Sequence, residues 1–347
     1  MKPLAITGFG SVTCYGPHAG LLPLTLMQPE AITAWHTESL HRAWQVPAFN
    51  PAEIIPGAKI RRLDRFSCWA LVAATLALRD AGLQSEAVDH TRVAVVCATG
   101  FGCLELTEAF YLSAAENGWN STDPILFPET LTNAPAGHIA LFHRFQGPNL
   151  TLGGRNFGAE SALIHAASLL RNQQADIAVV VSGDILMRAL YEWYEEAGVL
   201  SSACFHADIP ASVKDFVPGE GVVATVLEAD PREDSHVYAF FKNGRWASRG
   251  SLAGCLQSLL PNQTIDLILA AGGEQLHPEQ SDSPLHRLVN SKTRCLLPNP
   301  IACGLAEAGG LLHLLMALSQ NPGPGTALQL GYTAHGDYAA LHLEICI

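Results

Sequence analysis

The stretch GPNLTLGGRNFGAESALIHAA, residues 147 to 167, has the layout of an approach to an enzyme's nucleophile. A short apolar strand, Leu150 to Leu152, runs into a glycine-rich turn, and a helix opens directly behind it. A residue in such a turn meets free backbone N–H groups and the positive end of the helix dipole, which together stabilise an anion. A cysteine or serine placed there is activated as a nucleophile. This turn offers Gly153, Gly154, Arg155, Asn156, Phe157 and Gly158, and none of them is one. The surrounding polar residues do not supply a substitute. Arg155 and Glu160 flank the empty position, and His138, His143 and His165 lie near it in the chain, but no G-x-S-x-G elbow supports a hydrolase. Arg155 reads as a structural or interface donor, Glu160 as an acid at a helix start complementing the dipole, and His165 as a hydrogen-bonded buried or interface residue.

Other residues that could do chemistry also have plainer explanations. Glu220 in the GEG triplet reads as a fold-stabilising turn residue. Cys14, Cys97 and Cys103 read as packed small hydrophobes, and Cys303 has no base beside it in sequence. The nine cysteines are scattered without a C-x-x-C pair, so neither a disulfide framework nor a metal site is expected. Gly8-Phe9-Gly10 begins a dinucleotide fingerprint, but Thr13 stands where its third glycine belongs, and no cofactor is expected.

The elements that must hold these residues alternate. The apolar runs LAITGFG, RVAVVCATG (92–100), ADIAVVVSGD (175–184) and GEGVVATVLEA (219–229) read as strands covered on both faces. Leu63, Phe66, Ala70, Ala73, Ala77 and Ala81 recur at three- and four-residue steps, which predicts a helix from Arg62 to Gly82. Residues 103–146 are irregular and partly helical, and a helix with a small-residue inner face follows from Ala159 to Arg171. The acidic break DPREDS (230–235) divides the chain into halves of 1–230 and 236–347. The second half holds strands at HVYAFFKNG and IDLILAAGG, a helix over residues 304–318, and a strand pair at TALQLGY and AALHLEI. This order predicts α/β layers with helices on both faces of mainly parallel sheets. Hydrophobic residues make up 48% and charged residues 15% of the 347, as in a folded chain, and the net charge of −12 excludes a general nucleic-acid surface. No signal peptide and no membrane-spanning run is evident, so a cytoplasmic protein is expected.

Five segments in order resemble the β-ketoacyl synthase family: ITGFGSVTCYG, RRLDRFSCWALVAATLALRDAGL, the stretch from Gly147 to Asp184, DFVPGEGVVATVLE and NPIACGLAEAGGLLHLLMAL. The resemblance implies a thiolase-like fold, two similar halves in an α-β-α-β-α layering, with the second half shortened. It also implies a cysteine in the elbow and two histidines. Here Asn156 stands at the cysteine, Ala271 at the first histidine and Ile301 at the second. Leu296 replaces the lysine that precedes the second histidine, and Ala334 replaces the gating phenylalanine. A carboxamide forms no thiolate, and Ala and Ile neither shuttle protons nor donate to a carbonyl oxygen.

The expectation is therefore a subunit without catalytic residues of its own, resembling the chain-length-factor branch of the family. Such a subunit pairs as a heterodimer with an active ketosynthase in a type II polyketide or fatty-acid-like pathway, the aryl-polyene kind being one candidate, and shapes the acyl tunnel and chain length. Acyl carrier protein would be met through the partner. Phe101, Phe110, Tyr111, Leu150, Leu152, Arg155 and Phe157 are the candidates for lining the tunnel or the dimer contact, with Trp119 and Phe127 beside them. Two alternatives are a malonyl-carrier-protein decarboxylase assisted by Asn156 and a homodimeric carrier-protein-binding scaffold.

Overall fold

The continuous apolar runs form strands, and the periodic segments between them form helices. The computed structural model describes residues 2–23, 30–31, 42–56, 60, 63–83, 88–154, 157–200, 216–247, 250–260, 264–271, 283, 285–296, 309–332 and 337–347. In chain order the elements of the first half are β1 (Leu4–Thr13), β2 (Gly16–Ala19), the short pair β3 (Glu30–Ala31) and β4 (Arg42–Ala43), α1 (Arg65–Asp80), β5 (Val93–Thr99), α2 (Leu104–Asn117), α3 (Ala134–His143), β6 (Asn149–Gly153), α4 (Gly158–Arg171), β7 (Ile177–Asp184), α5 (Arg188–Glu196) and β8 (Gly221–Glu228). The second half supplies β9 (Ala239–Ala247), α6 (Leu252–Leu259), β10 (Leu267–Ala271), β11 (Arg294–Leu296), α7 (Gly309–Ser319), β12 (Gly325–Tyr332) and β13 (Tyr338–Ile345).

The strands lie in the order β11-β10-β12-β13-β9-β1-β8-β7-β5-β6, with β2 pairing with Gly10–Thr13 of β1, beyond the stretch that pairs with β9. This order contains a duplication. In both halves the third main strand is outermost, followed by the second, fourth, fifth and first. The directions repeat as well: β6, β5 and β7 run parallel, as do β11, β10 and β12. The expectation of mainly parallel sheets needs correction at β8 and β13, which run antiparallel to both of their neighbours. A strand buried on both faces carries the same unbroken apolar run in either direction, so the sequence does not encode which way it points. The two halves join where Leu4–Ile6 of β1 pairs antiparallel with Ala239–Phe241 of β9.

Alternation along the strands separates the layers. In β5, Ala94, Val96 and Ala98 face a central core, while Val93, Val95 and Cys97 face an outer one. The central core contains α4 and α7 between the sheets, with Ala162, Leu163, Ala166, Leu311, Leu314 and Leu315 all buried. Helices α1 and α3 cover the outer face of the first half, and α6 covers Ile268, Leu328 and Leu330 of the second. The five layers are thus α-β-α-β-α. Helix α1 starts where the Asp64 side chain accepts from the Phe66 N–H at 2.8 Å, and stops at Gly82, whose φ of 66° breaks the helix. Helix α4 can lie at the centre because alanines let it approach strands on both sides.

Candidate functional site

The strand and the helix that flank the turn form as the sequence predicts. Among the described residues β6 pairs with β5 alone, so its far edge has no strand partner there. The Gly154 N–H then donates to the Thr99 carbonyl at 3.2 Å, and α4 opens behind Phe157. Phe157 holds φ 58°, ψ 36°, a left-handed conformation that costs a non-glycine residue about 1 kcal/mol. Arg155 and Asn156 lie outside the described residues, as do Ile301, Cys303 and Ala334.

The second half closes over this turn. Gly331 of β12 is paired in register with Ala271 at the end of β10, so the strand end expected to carry the first histidine lies beside the elbow. A Cβ built on Gly331 would fall 2.3 Å from Phe157 Cδ1, so the ring lies directly on this glycine. Leu296 ends β11, in register with Leu269.

Glu160 behaves differently from a solvated helix-start acid. It is only 2% exposed, and its carboxylate accepts from Gln329 Nε2 at 2.8 Å. Burial raises its pKa above the ordinary glutamate range, opposed in part by the Gln329 hydrogen bond and by its own backbone N–H. The reading of Glu160 as a dipole partner is therefore incomplete, because its side chain enters the central core. Gln329 is the residue that sequence reasoning missed. Its signal was a single polar side chain inside the buried strand TALQLGY.

The remaining candidates have local roles. His138 Nε2 meets Glu129 at 2.5 Å, and His165 Nδ1 meets the Ser161 carbonyl oxygen at 2.8 Å. His143 Nε2 lies 2.9 Å from Thr75 Oγ1, its ring stacks on Phe145, and burial lowers its pKa to about 4. Burial raises the thiols of Cys97 and Cys103 to about 12, which keeps both protonated in the core. Glu220 is buried and paired with Arg65. Among the described residues no group of three metal-ligating side chains occurs, and no helix is long and apolar enough to cross a membrane.

The interface candidates separate by depth. Tyr111, Leu112, Trp119, Ile125, Phe127 and Leu141 are exposed on α2, α3 and the segment between them, an apolar face of the kind that marks interaction surfaces. Phe110 is buried beneath it, with ring centroids 5.7 Å from Tyr111 and 6.0 Å from Phe127, and so supports this face rather than lining it. Leu150 and Leu152 are half-buried against the central core. Phe101 is also half-buried, and its N–H donates to Asp184 Oδ1 at 2.9 Å. The same carboxylate accepts from Thr99 Oγ1 at 2.6 Å and from the Gly100 N–H at 3.1 Å. Asp184→Ala is expected to cost about 2 kcal/mol by leaving these donors unpaired, and to speed amide exchange at Gly100 and Phe101 in particular.

Residues 29–232 match the N-terminal domain of β-ketoacyl synthases. The chain belongs to the β-ketoacyl synthase family. This ketosynthase-like chain is 29% identical over 144 residues to 3-oxoacyl-[acyl-carrier-protein] synthase 2 of Vibrio cholerae, covering 40% of the chain and 33% of that relative. It is 27% identical over 264 residues to the protein of the same name from Coxiella burnetii, covering 69% of the chain and 61% of the relative. It thus spans between a third and three fifths of the length of these two relatives. The ishigamide ketosynthase/chain length factor structure superposes with a TM-score of 0.77 at 19% identity, covering 99% of this chain and 100% of that one. The thiolase-like fold follows from that likeness.

Proposed function

We propose that this chain is a non-condensing subunit of the chain-length-factor type, which pairs with an active β-ketoacyl-carrier-protein synthase in a type II polyketide or fatty-acid-like pathway. The observation that carries this reading is the strand–turn–helix elbow with a carboxamide, Asn156, at its nucleophile position. A carboxamide cannot form an acyl thioester, and Cys97, in register with Thr151 of β6, is a protonated core thiol. The edge of β6, which has no strand partner among the described residues, and the exposed apolar side chains of α2 and α3 each support pairing, since an unpaired strand edge and an apolar patch are both templates for a second chain. Leu150 and Leu152 on that edge, with Tyr111, would border the contact. Any acyl carrier protein would dock through the active partner, where the condensation occurs.

The test is co-expression of this chain, tagged, with an untagged ketosynthase encoded beside it. The expected result is a one-to-one complex whose condensing activity disappears when the partner's nucleophilic cysteine is mutated. Trp119→Asp combined with Tyr111→Asp should weaken that complex at least tenfold, because aromatic anchors dominate interface energies. A chain that purifies as a homodimer and ignores the ketosynthase would overturn the proposal. Malonyl-carrier-protein decarboxylation by this chain alone, lost in Asn156→Ala, would replace it with the decarboxylase reading.

A further inference from the structure

The anion position at the head of α4 is already filled. Gln329 is 1% exposed, and its Nε2 donates to both Glu160 Oε1, at 2.8 Å, and the Gly310 carbonyl oxygen, at 3.0 Å. Both amide protons are thereby used, while Gln329 Oε1 is buried and has no hydrogen-bond partner among the described residues. The Glu160 carboxyl group lies flat against Gly310: a Cβ built there would fall 2.3 Å from Oε1, 2.5 Å from Cδ and 2.6 Å from Oε2. Only glycine on α7 leaves room for this group.

A second filled space adjoins the first. Phe157 and Glu160 are three residues apart on the opening turn of α4, and therefore lie along one stripe. Their counterparts Gln329 and Gly331 are two residues apart on β12 and share one face of the sheet. Twice, then, a large side chain from the first half occupies a space that a glycine of the second half leaves open. An ionised Glu160 would place an uncompensated charge in the central core and leave Gln329 Oε1 without a donor. One proton on the carboxyl group removes the charge and supplies a donor beside this amide, while the acid still accepts from the amide nitrogen.

We propose that Glu160 and Phe157 are built-in ligands of the elbow: the carboxylic acid of Glu160 pairs with the Gln329 carboxamide while the Phe157 ring closes the apolar side, and the site they fill is one for a small carboxylic acid with a hydrocarbon tail. The space behind the elbow, between α4, α7 and β12, is occupied from within, and this holds whether or not the chain pairs with a ketosynthase.

Glu160→Ala removes the equivalent of an acetic acid molecule and leaves its partners in place. The variant is expected to melt about 3–5 °C below the wild type. Acetate should restore at least half of that loss along a saturable curve, while the same concentration of chloride should not, and acetate should leave the wild type unchanged. A Glu160→Ala variant that melts like the wild type, or that acetate does not restore, would overturn the proposal. If Glu160→Ala does not fold, Glu160→Gln supplies the reading by difference infrared spectroscopy. The wild type should show the carbonyl stretch of a buried protonated carboxyl group that Glu160→Gln lacks. Identical spectra in that region would overturn the assignment equally.

Discussion

Arg65→Ala should lower the stability of the chain by about 3 kcal/mol at neutral pH, read as a shift in the urea unfolding midpoint. Arg65 Nη1 donates to Glu220 Oε2 at 2.8 Å, Nε to Glu105 Oε2 at 3.0 Å and Nη2 to the Leu186 carbonyl at 2.9 Å. The guanidinium also lies 5.2 Å from the centroid of the Trp69 ring. The pair is asymmetric: about a third of the Arg65 side chain is exposed, but the Glu220 side chain is 7% exposed. Losing the arginine therefore strands a buried carboxylate, and that desolvated charge makes up most of the cost. The lower end of the range for broken buried pairs applies because Arg65 itself reaches solvent.

The same asymmetry fixes the pH dependence. Burial raises the Glu220 pKa above its ordinary value, with Arg65 as the leading opposing influence. A carboxyl group whose folded-state pKa is raised contributes stability that is full below its unfolded value and is lost as pH rises through the folded one. Without Arg65 the folded value rises further. The deficit of the variant should thus be small in acid, where Glu220 is protonated either way, and should grow toward neutrality. Glu220→Gln in the Arg65→Ala background should recover most of the loss. Failure to recover it would mean that the cation–π contact and the Leu186 bond carry the energy instead.

Much of this fold was legible because burial imposes its pattern on composition. Val93 to Ala98 and Ile177 to Val181 are unbroken apolar runs because helices cover both of their faces. Boundaries drifted where hydrogen bonding outlasts the regular strand. The stretch HVYAFFKNG reads as a strand from residue 236, and Tyr238 does bond to Ile6 and Cys346 although β9 begins at Ala239. The expectation of an empty nucleophile position rests on the family resemblance that aligns Asn156 with the cysteine, since one residue type decides whether a thioester can form. The burial of Glu160 against α7 and β12 could not be read from the sequence. An acid in a first turn has a sufficient local explanation in the helix dipole, and whether it faces water or the core depends on Gly310 and Gln329, distant in sequence. Glycine leaves no pattern of its own, so a space reserved for another residue's side chain is invisible until both elements are in place.

Gly10→Ala carries the same lesson to its largest effect. The Gly8-Phe9-Gly10 triplet lies inside β1 rather than in a nucleotide-binding loop, and both glycines face α1. A Cβ on Gly10 would fall 2.1 Å from the Ala73 carbonyl oxygen and 2.4 Å from the Ala77 nitrogen, and one on Gly8 would fall 2.3 Å from the Ala77 carbonyl oxygen. These obstacles are helix backbone, which cannot swing aside as a side chain can. One methyl group must therefore push α1 off β1 or break its hydrogen bonds, at a cost of about 3 kcal/mol or more. Gly153→Ala is the matched control, since a Cβ there meets nothing within 4 Å, and it should change the stability of the isolated chain by less than about 0.5 kcal/mol. Urea unfolding of the two variants side by side separates the explanations. If Gly10→Ala were as harmless as the control, close helix–strand contact would not be why the triplet is glycine. A large loss at Gly10 with none at Gly153 ties the first glycine motif of the chain to packing, because α1 can approach β1 this closely only where neither strand residue carries a side chain.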